Sequence, residues 1–192
     1  MPRQGLTTGR VTAAAADLAD EVGLEQVTLT ALAKHFEVAT PSLYTHVRSQ
    51  ADVRTGVALL ALAETADLVA AAIAGVSGRA ALAALGGVWR TYAVEHPGRY
   101  AASRLSLDAQ TAAASAGPRH ADLSRAALRG YRLSGADEVH AVRFLGATFH
   151  GYAALDAAGA FGHGAADAPA SDESWERVLD GLDAILRSWE AR

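Results

Sequence analysis

The chain has 192 residues, 51% of them hydrophobic, with no cysteine and a formal net charge of −4. That length accommodates one domain, or a small domain joined to a larger one, with a substantial core; the lack of cysteine excludes a disulfide framework, thiolate catalysis and cysteine-ligated metal. The start MPRQGLTTGR lacks the apolar core of a signal peptide and no apolar run is expected to span a bilayer, so a soluble cytoplasmic protein with no membrane partner is expected.

Strand signals are nearly absent and helical periodicity runs through most of the chain, which predicts an all-α fold of about nine helices. Val11, Ala14, Ala15, Leu18, Ala19 and Val22 follow the i, i+3, i+4, i+7 spacing, and Gly23 closes that first helix. Thr28 is placed to N-cap a short second helix with Leu29, Leu32, Ala33 and Phe36 on its apolar face. A third short helix is predicted from about Ala39 to His46, with Pro41 in its first turn, where a missing N–H costs nothing. Ser49 and Asp52 carry a capping-box signature that opens a long helix reaching Gly75.

Beyond the Gly75–Gly78 break, helices are expected at about 79–95 and 99–107, the first stopped by His96-Pro97-Gly98. Residues 112–118 read as a loop, and Pro118 as the start of a helix ending near Leu133. Ser134 and Asp137 form a second capping-box signature, starting a helix to about Ala158. Residues 159–171 are rich in Gly, Ala and Pro and read as a loop. The last helix, about 172–191, carries Trp175, Val178, Leu179, Leu182, Ile185, Leu186 and Trp189 on one stripe. The expected division is 1–48 for the N-terminal helices, 49–75 for a connecting helix and 79–192 for a helical body.

The abrupt turn between the second and third helices is what a helix-turn-helix over about 28–47 requires. A short helix is held at a steep angle so that its exposed end can enter the major groove. Leu32, Ala33, Phe36, Val38, Leu43 and Val47 supply the buried side. Thr40, Ser42, Tyr44, Thr45 and His46 bear groups suited to bases and phosphate oxygens, with Arg48 just beyond. The alternative is that Tyr44 and His46 only cap a packed bundle. Residues 1–54 hold five Lys/Arg (3, 10, 34, 48, 54) against six Asp/Glu (17, 20, 21, 25, 37, 52). Nucleic-acid binding would therefore depend on where a few cations sit, because there is no general basic field. Arg3 and Arg10 are either an N-terminal arm reaching phosphates or the minor groove, or ordinary solvated arginines.

From Thr8 to about Leu60, through Thr28, Leu32-Ala33, Val38, Leu43-Tyr44, His46 and the Ser49–Asp52 cap, the sequence resembles the TetR family of transcriptional regulators. The resemblance implies a three-helix DNA-binding domain, coupled by the fourth helix to a ligand-binding, dimerising body. It puts Thr28 and Tyr44 on phosphates, Thr40, Pro41 and Ser42 toward bases, and His46 at the edge of the backbone contacts. Two positions depart from the family pattern. Glu37 stands where the turn usually has glycine, a left-handed site costing about 1 kcal/mol for a side chain. Gln50 replaces a common lysine, removing a phosphate cation.

HPGRY (96–100) and TFHGYAALDAAGAFG (148–162) resemble the subgroup named for a Trp-His-Gly motif, read here as Phe149-His150-Gly151. Phe149, His150 and Tyr152, with Trp89, Tyr92 and Arg104, are the candidate residues for a small-molecule effector; the competing reading makes these aromatics core. Two copies of the 137–158 and final helices are expected to form a four-helix homodimer interface, so that a pseudo-palindromic double-stranded operator is read by a two-fold protein. No cofactor or metal is implied, since the seven histidines lack zinc spacing and neither a phosphate loop nor a nucleophile elbow occurs. An enzyme therefore has little support. The remaining rival is a helical small-molecule-binding or dimeric interaction protein with degenerate DNA binding.

Overall fold

Alternation between capped, one-sided helices and short breaks produces an all-helical chain. A computed structural model describes residues 5–163 and 169–190, and no strand occurs among them. The α-helices are α1 (Thr8–Val22), α2 (Leu29–His35), α3 (Gln50–Ala72), α4 (Gly78–Glu95), α5 (Pro97–Ser103), α6 (Ala109–Ala114), α7 (Gly117–Ala127), α8 (Ala136–Ala157) and α9 (Ser171–Ser188). The third element expected from sequence is a 3-10 helix, Thr40–Thr45, closed by i→i+3 bonds such as His46 N to Leu43 O at 2.9 Å.

Helix ends follow local chemistry, with two corrections. The Thr28 hydroxyl accepts from Ala31 N at 3.1 Å, and Ser49 Oγ accepts from Asp52 N at 3.1 Å. The Asp52 carboxylate closes its box one residue early, on Arg48 N at 2.9 Å. The Ser134–Asp137 box does not form: α8 starts from Gly135 at φ 57 with no side-chain cap. A loop was expected over 112–118, yet α6 covers Ala109–Ala114 because Asp108 caps it, accepting from Thr111 N at 3.0 Å and from the Thr111 hydroxyl at 2.6 Å.

The chain forms two compact units. The first comprises residues up to Glu64 together with Glu95–Ala116; the second comprises Thr65–Val94 and the chain from Gly117 onward. By this division residues 95–116 group with the N-terminal helices. The core of the first unit is Val11, Ala15, Ala19, Val27, Leu32, Leu43, Val53 and Val57, joined by Ala102 of α5. That of the second is Val69, Leu82, Leu85, Leu128, Leu145, Phe149, Leu179 and Leu186. Gly86 lets α4 lie against this core: a Cβ there would fall 2.7 Å from the Phe149 ring and 2.8 Å from Trp175.

Contrary to the expectation from sequence, α3 is long and apolar enough to cross a membrane by length and composition. Val53, Val57, Ala58, Ala61, Ala66 and Val69 on it are buried in the protein interior.

Candidate functional site

The turn after α2 fixes the geometry of the exposed face. Val38 N donates to Ala33 O at 3.0 Å and Glu37 N to Lys34 O at 3.2 Å, the paired bonds of a Schellman motif. That motif needs a left-handed residue at its centre, and Glu37 takes it at φ 55. The chain then enters the Thr40–Thr45 helix, whose Leu43 and, just after it, Val47 are buried at 0% and 3% exposure. These two anchors turn Pro41, Ser42, Tyr44 and Thr45 to solvent, with Tyr44 56% exposed. Thr40 and His46 are half-buried at the edges. The Thr45 hydroxyl donates to Ser42 O at 2.8 Å, and the His46 carbonyl accepts from the Thr8 hydroxyl at 2.9 Å. Thr28 caps α2, while Arg48 is exposed just past the short helix.

Arg3 lies outside the described residues. Arg10 is not on an arm: it sits in the first turn of α1, donates to Gly5 O at 2.7 Å and lies 5.8 Å over the Phe36 ring.

Most of the acids of this region have partners in the fold. Asp17 and Asp20 on α1 receive Arg99 and His96 from the start of α5, and Glu25 holds Arg54 at 2.8 Å. Asp52 is used as a helix cap. Four of the six acids counted along residues 1–54 are thus engaged within the first unit. Sequence reading missed the Arg99 and His96 partners, because no local spacing links them to α1.

In the second unit the Trp89 ring is buried and carries two imidazoles, His150 at 4.5 Å and His120 at 4.9 Å between centroids. His120 Nε2 lies 3.3 Å from the hydroxyl of Thr65, itself fully buried. Trp89 and His150 are among the candidates named from sequence, and His120 and Thr65 are not. Tyr92 is buried at 2% exposure on α4. Arg104 belongs to the first unit, where it donates to the Tyr100 hydroxyl at 3.2 Å. Burial pushes that Tyr100 hydroxyl above its ordinary pKa.

Phe149 and Tyr152 are buried in the core of the second unit. Phe149 packs on Trp175 at 5.6 Å, and Tyr152 packs on Trp175 at 4.8 Å while donating to Ser171 O at 2.6 Å. Arg90 completes this region by pairing with Asp156 and Asp172, which ties α4 to α8 and α9.

On the α9 stripe Trp175, Leu179, Leu182 and Leu186 are buried within the chain. Val178 and Trp189 are half-buried against the same core, and Ile185 is 39% exposed. A one-sided apolar stripe demands burial, and the second unit meets that demand by itself. Trp189 also lines an open cleft of about 410 Å³ with Asp137 and His140.

Comparison with known proteins decides the family. A family model described as "Tetracyclin repressor-like, C-terminal domain" matches residues 82–182. The curated HTH-type transcriptional regulator YobS of Bacillus subtilis is 30% identical over 188 residues, 98% of this chain and 93% of that protein. The chain belongs to the TetR family of transcriptional regulators. Among solved structures, a protein of unknown function from Rhodococcus sp. RHA1 superposes at TM-score 0.78 with 22% identity, covering 97% of this chain and 99% of that one. A TetR variant from Acinetobacter baumannii in complex with minocycline superposes at 0.70 with 21% identity, covering 98% and 100%. This TetR-family chain is accordingly a DNA-binding regulator, with its helix-turn-helix in the first unit.

Proposed function

We propose that the protein is a homodimeric repressor that reads a pseudo-palindromic operator and responds to a small molecule bound in its second unit. The observation that carries the DNA-reading surface is the Thr40–Thr45 helix, anchored inward by Leu43 and presenting Pro41, Ser42, Tyr44 and Thr45 outward. Ser42 and Thr40 take base edges and Tyr44 a phosphate, with Thr28, His46 and Arg48 flanking them. Arg10 contributes from α1, next to the backbone contacts.

The effector contacts are Trp89, His150 and His120, with Tyr92 beside them on the same helix as Trp89. A buried indole carrying two imidazoles offers apolar surface and a few directed polar groups, the composition of a small-molecule site. A protein that shares this fold is found in complex with minocycline, which supports a small-molecule ligand here. The ligand acts by binding the non-operator conformation more tightly than the operator-binding one, so its effect is a population shift. Dimerisation uses the exposed sides of α8 and α9, where Val139, Leu155 and Ile185 are 41%, 50% and 39% exposed.

Substitution separates these roles. Tyr44→Ala is expected to weaken binding to every duplex, and Ser42→Ala or Thr40→Ala to change sequence preference by about 1–3 kcal/mol at one base pair. Anisotropy titration of labelled duplexes reads both. A folded Tyr44→Ala protein that binds as the parent does contradicts the assignment. Compounds that release the duplex should lose that effect in Trp89→Ala and His150→Ala; release unchanged in both variants contradicts the effector site.

A further inference from the structure

We propose that residues His96–Tyr100 form a clasp by which α5 sets the position of α1, and through α1 of the recognition helix, making Asp20, Gly98 and Arg99 positioning residues for operator binding. The inference rests on the DNA-reading function and adds residues far from the DNA-facing surface.

Two independent features build the clasp. The first is backbone contact. A Cβ on Gly98 would lie 2.1 Å from both the carbonyl carbon and oxygen of Ala19, and 2.6 Å from Asp20 N. Backbone cannot yield as a side chain does, so α5 lies this close to α1 only with glycine at 98. The second is charge. Asp20 accepts from Arg99 N at 2.9 Å, lies 3.3 Å from Arg99 Nε and 3.1 Å from His96 Nδ1, and Arg99 also pairs with Asp17. The Arg99 guanidinium is further 4.0 Å from Glu64 on α3, so one side chain ties α5 to two helices of the reading unit. The Arg99 and Asp20 side chains are only 14% and 15% exposed. A largely desolvated pair with this many partners adds little net stability over an apolar pair, but fixes relative placement.

The opposite end of α1 holds the reading element. Thr8, in its first turn, donates to the His46 carbonyl where the recognition helix ends. Twelve residues of helix separate Thr8 from Asp20, about 18 Å of stiff rod. A displacement at the clasp is therefore carried to the recognition helix with little loss. His96 is the single residue between α4 and α5.

The test uses the full-length protein and a labelled duplex selected by the parent from random DNA. Parent binding to that duplex is the control that separates a failure of DNA reading from a failure of the clasp. Gly98→Ala, Arg99→Ala and the isosteric Asp20→Asn are compared with the conservative Arg99→Lys. Specific affinity is expected to fall roughly 5- to 150-fold in the first three, the range of coupling between linked sites, with partial recovery in Arg99→Lys. Affinity for a scrambled duplex, and its salt slope, should stay within about twofold, since no phosphate contact is lost. Amide hydrogen exchange over residues 42–47 should quicken in the same variants without DNA. A folded Gly98→Ala or Asp20→Asn protein that keeps specific affinity within about twofold of the parent overturns the proposal. So does equal loss on specific and scrambled duplexes, and so does unfolding of all three, which would make the clasp part of the fold alone.

Discussion

Replacing Glu37 by glycine probes the turn that aims the recognition helix. Glu37 is the non-glycine residue with positive φ among the described residues, at 55°, and both Schellman bonds depend on that conformation. Left-handed backbone costs an L-residue about 1–2 kcal/mol, and glycine gives back about 0.5–1 kcal/mol in unfolded-state freedom. The net expectation for Glu37→Gly is stabilisation by about 0.5–1 kcal/mol, an increase in Tm of about 1–4 °C for a chain of this size. Glu37→Gln keeps the side chain and its strain but removes the charge, so its stability should match the parent within about 0.5 kcal/mol. Both substitutions remove an anion near the DNA-facing surface and should tighten duplex binding at low salt to a similar degree. Thermal melting by circular dichroism, paired with anisotropy, separates strain from charge. A Glu37→Gly protein no more stable than Glu37→Gln would refute the strain argument.

Three further outcomes follow from the second unit. Gly86→Ala should destabilise by about 1–3 kcal/mol in urea titration, since its new methyl meets Phe149 and Trp175 below 3 Å; an unchanged midpoint contradicts that packing. Hydrogen bonds from Arg187 hold the Asp183 carboxyl below its ordinary pKa, with the Tyr131 hydroxyl adding to this and burial opposing it. Because the folded pKa lies below the unfolded value of about 3.9, the stabilisation is present above that pH and lost as pH falls below it. The stability gap between parent and Asp183→Asn should therefore be full at neutral pH and close in acid, and a gap that persists at low pH is the wrong result. Ile185→Lys should give a folded monomer in sedimentation, whereas Leu182→Lys, which buries a charge, should cost several kcal/mol and unfold the chain. A dimeric Ile185→Lys protein places the interface elsewhere.

Much of the first unit was legible because its determinants are local. The Thr28 cap, the break at Glu37, Pro41 in a first turn and the buried Leu43 and Val47 lie within about twenty residues and obey helical spacing. The fold class followed from the same periodicity. Legibility ended where partners are distant in sequence. Arg99 and His96 meet Asp17 and Asp20 across more than seventy residues, and His120 reaches Trp89 from another helix. The α9 stripe shows a different limit: periodicity states that a face is buried but not whether its own chain or a second copy buries it. Asp108 was a missed local signal, a cap ahead of an alanine run that read as loop.

Selection from random double-stranded DNA at near-physiological salt tests the central claim most directly, that this chain reads sequence through the Thr40–Thr45 helix as a two-fold pair. The expected product is a pseudo-palindrome whose half-sites are one helical turn apart, or a multiple of it, bound far more tightly than scrambled DNA and with preferences that shift in Ser42→Ala. Recovery of no enriched sequence, or of one that Ser42→Ala, Thr40→Ala and Tyr44→Ala leave untouched, would contradict it.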